Sequence, residues 1–350
     1  MTTRLFVAAA LLAVAAAAPA QNAAPPPDPT AQKFAELEQR IAKGEQEKLG
    51  AYQELHAFVT NAMKVAEGTP GHEAMNFLRT GDWTRVIDEL KQGKRPSDWH
   101  MMVIKDNTAK GLQGPTWPKP PEVKVPYASV APKIDGKLDD AIWQKAVTFK
   151  DTYAFGSTTV APECPTTWKI AWDDKCLYFA FDCVDTDLIS PKIERDGTVF
   201  FDDCVEMFIL PDFRYRTYWE LVIGPSGSIY DSIQCKAYYE WGCNSKTNEN
   251  IEGLQVGIAL NGTLNQSGDK DQGYTVEVAV PFDQLPGYSR AKAAAGQTLN
   301  FMLVRLDKTK LPDKDKDGKD QFVHKAYAFI PLMNWGHNIW NHAKMTLVKE

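Results

Sequence analysis

From about residue 125 onward, the sequence consists of short β-rich runs separated by turn signals. Alternation of apolar and polar residues is typical of strands that bury one face, and almost no helical period is present in this region. Many short strands of this kind predict an antiparallel β-sandwich, immunoglobulin-like or jelly-roll-like, over residues 125–350. The runs are Trp168–Ala171, Leu177–Val184, Val205–Leu210, Tyr218–Ile223, Ser228–Gln234, Leu254–Leu260, Tyr274–Val280, Phe301–Leu306, Ala326–Ile330 and Met345–Val348.

The residues before this region are organised differently. Residues 1–20 are typical of a cleavable signal peptide, because Arg4 precedes an apolar stretch that ends at an Ala-Pro-Ala cleavage site. The stretch is too short to span a bilayer comfortably, so we expect a secreted or periplasmic protein without a membrane span. Residues 21–30 are predicted as a Pro-rich spacer, 31–110 as a helical segment and 111–124 as a Pro-rich linker. The chain is therefore expected to be mainly β with a small N-terminal α-helical segment.

The helical segment is recognised by apolar residues at spacings of three and four. No catalytic spacing is present there, so we interpret the segment as a small helical hairpin that serves as a spacer, docks a partner or self-associates. The residues expected to share helical faces are Phe34, Leu37 and Ile41, then Tyr52, Leu55, Val59 and Ala62, then Trp83, Val86, Ile87 and Leu90.

Composition narrows the class of ligand. A net charge of −6 and a pI near 5.6 argue against nucleic acid, whose binding requires clustered Lys and Arg. Ten Trp and twelve Tyr residues suit a protein that stacks on sugar rings, although a sandwich core would also use most of them.

The six cysteines permit several interpretations. An even number in an exported chain allows disulfides. Cys235 and Cys243 flank a short aromatic segment and are candidates to close one loop, and Cys183 and Cys204 are expected on neighbouring strands. Neither zinc spacing nor the Cys-x-x-Cys-His motif of c-type haem occurs, so structural thiols or disulfides fit best. The cysteines are at positions 164, 176, 183, 204, 235 and 243.

The most informative strand is the run that begins after the acidic loop 195–203. Its alternation places Val205, Met207 and Ile209 on one face and Glu206 and Phe208 on the other. A Glu inside an apolar strand is unusual, because a carboxylate is rarely buried without a partner. The pattern indicates a sugar-hydroxyl acceptor, a cation ligand or a carboxylate buried against a structural partner such as Arg305.

Several motifs in order carry a family resemblance. They are Ile134-Asp-Gly-Lys-Leu-Asp-Asp-Ala-Ile-Trp143, Trp172-Asp-Asp-Lys-Cys-Leu-Tyr-Phe-Ala-Phe181, Asp202-Asp-Cys-Val-Glu-Met-Phe208, Gly273-Tyr-Thr-Val-Glu-Val-Ala-Val-Pro281 and Trp335-Gly-His-Asn-Ile-Trp340. The series resembles the family 9 carbohydrate-binding modules, a DOMON-like β-sandwich group, over roughly residues 125–350. The resemblance implies a noncatalytic protein that binds oligo- or polysaccharide, such as plant or algal polysaccharide ends, within a glycan-degradation system.

The resemblance also implies a site. Two aromatic residues of the family clamp a terminal sugar, and a strand Glu accepts its hydroxyls. That Glu falls on Glu206, one clamp position on Phe200 and the other one position from Trp335. Arg195, His337 and Trp340 are candidate rim residues without a family match, and core packing is the alternative for each aromatic residue. These modules often hold structural calcium.

Two other functions remain as alternatives. A glycoside hydrolase needs two carboxyl groups that flank the scissile bond. Asp203 and Glu206 have opposite parity on an extended strand, and Asp202 lies about 13 Å from Glu206 by strand rise, so neither pair suits that mechanism. A DOMON-like haem or protein-docking module is the other alternative. No spacing selects axial ligands among Met207 and the histidines, and no haem is expected.

A final motif concerns calcium. Asp313, Asp315 and Asp317, followed by Gly318, reproduce the first half of an EF-hand loop. His324 stands where the bidentate Glu is expected, and the flanking residues are typical of strands. The loop is therefore either a structural Ca²⁺ site or a solvated hairpin tip.

Overall fold

The computed structural model describes residues 28–79, 83–92, 94, 96–235, 249–286 and 293–349. Their chain divides at Pro120 into a helical unit and a β unit. The predicted signal peptide, most of the predicted spacer and Cys243 lie outside the described residues. Within the described part of the chain, no helix is both long and apolar enough to cross a membrane.

The helical unit forms around one apolar cluster. The residues predicted to share helical faces lie in this cluster or against it, which confirms the periodicity. The unit is larger than the predicted hairpin, because Met75 of α3 and Ile104 of α5 are also buried there. Helix α5 continues to Gln113 and so includes the start of the predicted linker. The helices are α1 (Pro29–Ala42), α2 (Glu45–Val65), α3 (His72–Phe77), α4 (Trp83–Lys91) and α5 (Asp98–Gln113).

The β unit contains two sheets, as predicted for a sandwich. The first has the strand order β1-β13-β11-β6-β7-β8, with β12 beside β11 and β3 beside β12, and the second has the order β2-β4-β5-β10-β9. The strands are β1 (Glu122–Pro126), β2 (Val147–Phe149), β3 (Tyr153–Ala154), β4 (Thr166–Trp172), β5 (Cys176–Val184), β6 (Cys204–Leu210), β7 (Thr217–Ile223), β8 (Ile229–Cys235), β9 (Gln255–Asn261), β10 (Gly273–Pro281), β11 (Thr298–Lys314), β12 (Asp320–Ala328) and β13 (Ala343–Val348), with a short helix α6 (Ala141–Lys145).

Each predicted run overlaps a strand, and the differences lie at the edges of the sheets. Strand β1 falls partly within the predicted linker and pairs in parallel with β13, so the first sheet is mixed rather than wholly antiparallel. Its Val125 is fully buried. Strands β11 and β12 extend beyond the predicted runs as a two-stranded ribbon. The sequence did not predict this extension, because the charged residues of the ribbon hide the alternation that marks a half-buried strand.

A buried arginine links the two sheets. The Arg305 guanidinium donates to Asp185 Oδ2 at 2.9 Å and to Thr166 Oγ1 at 3.1 Å, both on the second-sheet side of the interior. Arg305 is opposite Val205 in the register of β11 with β6, so it shares the interior face of the sheet. The alternative in which Glu206 is buried against Arg305 is therefore wrong, because Glu206 lies on the other face.

A second buried charge fixes the segment before β2 onto the second sheet. Glu277 of β10 is fully buried and accepts hydrogen bonds from Trp143 Nε1 at 2.6 Å, Gly136 N at 2.7 Å and Asp135 N at 3.0 Å. A Cβ at Gly136 would lie 2.3 Å from the backbone of Ile258, and its φ is +84°. A glycine is therefore required where this loop approaches β9.

The expectation that Cys183 and Cys204 lie on neighbouring strands is wrong. Both are buried free thiols, as is Cys164. Cys183 is on β5 and Cys204 is on β6, which belong to different sheets, so they are not on neighbouring strands. The predicted pairing of Cys235 with Cys243 falls partly outside the described residues.

We expect Glu277→Gln to destabilise the β unit. The NH₂ group of Gln would face at least one of the N–H donors that the carboxylate now accepts. That donor would lose its acceptor, which lowers the free energy of unfolding by about 1–3 kcal/mol. Thermal unfolding would measure the loss, with the exposed Glu252→Gln as the matched control. Equal melting temperatures for the two variants would contradict this role of Glu277.

Candidate functional site

The candidate site lies on the outer face of the first sheet, centred on β6. All seven residues of β6 are buried. Glu206 is opposite Val304 of β11 on one side and Val222 of β7 on the other, so it occupies the middle of the sheet. The predicted strand position of Glu206, with Phe208 on the same face, is therefore observed in the register.

Phe200 lies at one end of this face. It belongs to the short 3₁₀ turn Val199–Phe201 that precedes β6. Its ring contacts the Tyr230 ring edge-on at a centroid distance of 5.7 Å, and both pack against a small cluster that includes Val222. Because Val222 is the cross-strand neighbour of Glu206, the half-buried Phe200 packs against a cluster that adjoins Glu206 in the strand register.

His337 and Trp335 lie over the other end of the face. The His337 ring contacts Phe208 at a centroid distance of 5.0 Å and Trp335 at the same distance. His337 Nδ1 is 2.9 Å from the Tyr218 hydroxyl, and Nε2 is 3.3 Å from Glu220 Oε1. Two of the predicted residues are thus in ring contact, and Glu206 lies between them and the Phe200 group along the sheet.

Glu220 is the main residue that sequence reasoning missed. It sits opposite Phe208 in the register, is 7% exposed, and its Oε2 accepts from Gln234 Nε2 at 2.6 Å. The sequence does contain a signal that could have identified Glu220, because this residue interrupts the apolar run of β7 in the same way that Glu206 interrupts β6. Gln234 and Tyr230 carry a weaker signal of alternation on β8.

The Glu206 carboxyl group has no compensating partner. It is only 7% exposed, and within the described residues it makes no hydrogen bond or ion pair. Burial, and then the negative charge of Glu220, raise the pKa of Glu206 to about 8. A buried carboxyl group without a hydrogen bond is costly, so the face retains unused hydrogen-bonding capacity beside aromatic rings.

The two remaining rim candidates have other contacts. Arg195 Nη2 lies 2.7 Å from both carboxylate oxygens of Asp231, and its Nε donates to Asn250 at 3.0 Å. Asp231 is opposite Leu221 and so shares the interior face of the sheet. Trp340 packs edge-on against Phe213 at a centroid distance of 5.0 Å. The structure therefore does not bring Arg195 or Trp340 into these contacts around Glu206.

Asp202 and Asp203 hold the acidic loop in place. Asp203 accepts from the backbone N–H groups of Ile189 at 2.5 Å and Lys308 at 2.6 Å. Asp202 Oδ1 is 2.7 Å from Lys308 Nζ, and its Oδ2 accepts from Lys192 N at 3.1 Å. Burial raises the pKa of Asp203. Their oxygens are engaged in fixing this loop to β11.

The predicted calcium loop is the tip of the β11–β12 ribbon. Asp315 Oδ1 accepts from the backbone N–H groups of Asp317 at 2.9 Å and Lys319 at 2.8 Å, and Gly318 has a φ of +77°. Within the described residues, Asp313 and Asp317 make no side-chain hydrogen bond or ion pair. The loop is thus a closed turn with carboxylate oxygens left over, and calcium binding there stays a prediction.

A second acidic group lies at the edge of the interior. One carboxylate oxygen from each of Asp185, Asp203 and Asp307 lies within 4.8 Å of the others. Arg305 Nη2 contacts Asp185 at 2.9 Å and Asp307 at 3.4 Å, so a protein cation already opposes part of this charge. Burial, more than the attraction of Arg305, sets the pKa of Asp185, which is raised to about 6.

Comparison with known proteins agrees with the resemblance seen in the motifs. Residues 134–223 match the family model described as carbohydrate family 9 binding domain-like. The chain is similar to this family over that segment. The segment runs from the Ile134 motif to the end of β7, and therefore includes Phe200, Glu206 and Glu220.

Two curated relatives and one solved structure are similar to the chain. An Acetivibrio thermocellus protein named exoglucanase XynX is 30% identical over 190 residues, which is 54% of this chain and 14% of the relative. An endo-1,4-beta-xylanase A from Thermoanaerobacterium saccharolyticum is 31% identical over 155 residues, 44% of this chain and 11% of the relative. A Caldicellulosiruptor kristjanssonii family 9 carbohydrate-binding module, solved with cellotriose, is 17% identical with a TM-score of 0.42, and covers 65% of this chain and 94% of that one. The chain thus spans only a small part of the curated relatives it matches.

We expect Glu206→Gln to change stability in a pH-dependent way. The folded-state pKa of Glu206 is raised, so its contribution to stability is fully present below the unfolded pKa near 4.5 and is lost as the pH rises through 8. Gln does not ionise, so its burial has no such pH dependence. The free energy of unfolding of the variant should therefore rise relative to that of the wild type by on the order of a few kcal/mol between pH 5 and pH 9.

Melting temperatures of both proteins across that pH range would measure the difference, with Glu252→Gln as an exposed control. A difference between Glu206→Gln and the wild type that does not vary with pH would contradict the burial of this carboxyl group.

Proposed function

We propose that this chain binds an oligo- or polysaccharide without catalysis, through the outer face of its first sheet. The observation that carries the proposal is the Glu206 carboxyl group, which is buried, makes no hydrogen bond within the described residues, and lies between two aromatic groups. A sugar ring offers the complement, because its hydroxyl edge donates hydrogen bonds and its C–H faces are apolar.

The proposed roles follow from position. Glu206 accepts hydroxyl hydrogen bonds as a carboxylate, and Phe200 and Trp335 stack on the ring from the two ends of the face. His337 is held by Tyr218 and Glu220, so it supports the Trp335 side of the site. In this proposal Arg195 and Trp340 stabilise the surrounding loops, since each already has a protein partner.

The wider setting is also a proposal. The curated relatives bear the names of glycan-degrading enzymes, and the matched part of each is short. We place this chain as a binding component of a glycan-degradation system, exported by the predicted signal peptide at residues 1–20. The helical unit would then dock a partner or a second copy.

One observation favours glycoside hydrolysis as a second candidate. Glu206 and Glu220 are carboxyl groups on adjacent strands, and a raised pKa on one member is typical of an acid–base pair. Binding remains the preferred function, because both Glu220 oxygens contact protein groups, Gln234 and His337. Reducing-sugar release by the wild type that disappears in Glu206→Gln would support the hydrolase instead.

We expect both Glu206→Gln and Trp335→Ala to weaken binding. At pH 8.5 Glu206 is mostly ionised, and a charged acceptor contributes about 1.5–3 kcal/mol, so the Gln variant should bind roughly tenfold to a hundredfold more weakly. Trp335→Ala should cost at least as much, because it removes one stacking face. The experiment is a glycan array to find the ligand, followed by calorimetry on each variant.

The matched control is Trp99→Ala, which removes an exposed Trp from the helical unit. Unchanged affinity in both Glu206→Gln and Trp335→Ala, with folded proteins, would contradict the site.

Structural calcium at Asp313, Asp315 and Asp317 is a separate proposal. The unused carboxylate oxygens of a short turn are hard ligands of the kind that Ca²⁺ prefers. Calcium should raise the melting temperature of the wild type, because a ligand that binds only the folded state stabilises it. The shift should vanish when all three residues are changed to Asn, a change that leaves the Asp315 Oδ1 acceptor of the turn in place.

The outcome that contradicts this calcium proposal is a shift of equal size in the triple variant. In that case the ion would bind elsewhere, and the Asp185, Asp203 and Asp307 group would be the next to vary.

A further inference from the structure

Glu206 and Glu220 form an acidic pair that, within the described residues, has no contact with a lysine or an arginine. Glu206 and Glu220 lie on adjacent strands of one face, and each is 7% exposed. Burial raises the pKa of Glu206, and the negative charge of Glu220 raises it further. Two carboxyl groups at this depth repel each other in their ionised forms, since the interior screens charge poorly.

The basic side chains that border this region are already engaged. Lys308 Nζ contacts Asp202 at 2.7 Å, Arg195 contacts Asp231 at 2.7 Å, and the Arg216 guanidinium lies 5.5 Å from the centroid of the Trp340 ring. Two histidines also lie near this face. The two ring nitrogens of His337 contact Tyr218 and Glu220, and the buried His342 ring lies 6.1 Å from the Phe208 ring. The described part of the chain therefore supplies no ammonium or guanidinium contact to Glu206.

A neutral sugar would compensate the two carboxyl groups only in part. Each hydroxyl group donates one hydrogen bond and brings no charge. An ammonium group donates three hydrogen bonds and carries a positive charge, and hydrogen bonds between ionised partners are roughly twice as strong as neutral ones. Aromatic faces favour a cation as well, and Phe200, Tyr230 and Trp335 lie at the ends of the site.

We infer that the site prefers saccharides with a free amino group, of the glucosamine type, over neutral and N-acetylated sugars. This inference rests on the proposed carbohydrate-binding function and adds the chemical class of ligand. The ammonium group would lie beside Glu206 within reach of the charge of Glu220, while the ring stacks against Phe200 and Trp335. N-acetylation would remove the charge and add bulk, so it should abolish the preference.

The test is calorimetry of the full chain at pH 7 with three matched trisaccharides. The Glu206 carboxyl group, with a pKa of about 8, is mostly protonated in the free protein at this pH, and it loses its proton when the ammonium group binds beside it. These are cellotriose, the β-1,4-linked glucosamine trimer and its fully N-acetylated form. We expect the glucosamine trimer to bind at least tenfold more tightly than the other two. Glu206→Gln should reduce that ratio to near one, and Glu220→Gln should reduce it in the same direction.

A control is needed because the chain carries a net charge of −6 and attracts cations generally. Glu252→Gln removes an exposed carboxylate and should leave the preference unchanged. The preference should also persist at 0.5 M NaCl, because salt screens buried charges much less than exposed ones.

The outcomes separate this inference from the proposed function. If cellotriose and the glucosamine trimer bind equally well, and Glu206→Gln weakens both, the proposed function stands and the amino-sugar preference is wrong. If Glu252→Gln or salt removes the preference, nonspecific attraction explains it and the inference is again wrong. If no saccharide on the array or in the calorimeter binds, the proposed function and the inference both fail.

Discussion

Strand β6 is buried on both faces, and the arrangement of the β unit follows from that constraint. Its inner face, with Val205, Met207 and Ile209, packs into the sandwich, and its outer face must be covered by something other than a second sheet. The turn at residues 199–201 and the segment 331–341 supply this cover. Glu206 lies beneath it, where a carboxyl group is expensive unless a ligand compensates it.

The walls of this site are fixed by the protein itself. Asp202 and Asp203 tie the loop before β6 to β11. Asn341 accepts from Met333 N at 3.0 Å and donates to Pro331 O at 2.9 Å, which closes the opposite segment. A Cβ at Gly336 would lie 2.1 Å from the Phe208 ring, so only glycine lets this segment approach the sheet. Prearranged walls reduce the entropy that binding must overcome.

Much of the sandwich was predictable because strand periodicity is a local property of the sequence. Alternation located the strands that are buried on one or both faces, and it singled out Glu206. It could not locate β1 or the full β11–β12 ribbon, where short length or dense charge hides the period. These elements are defined by their partners rather than by their own pattern.

The candidate site was predictable only in part, because its contacts depend on which strands pair, and strand pairing is not a local property of the sequence. The position of Glu206 follows from its own strand, but its interaction with Glu220 depends on the register between β6 and β7. The contact of Arg195, in the loop before β6, with Asp231 of β8 likewise depends on how distant segments pack, and the position of Arg305 opposite Val205 depends on strand pairing. The sequence of one strand does not predict which strand will pair with it.

The most direct measurement of the central claim is the pKa of Glu206 with and without saccharide. Carboxyl ¹³C chemical shifts of labelled Glu, assigned through Glu206→Gln, would report it. The account predicts a pKa near 8 in the free protein that falls when the best array ligand saturates the site, because donors stabilise the carboxylate. An ordinary pKa in the free protein, or a raised pKa that the bound saccharide leaves unchanged, would contradict the account.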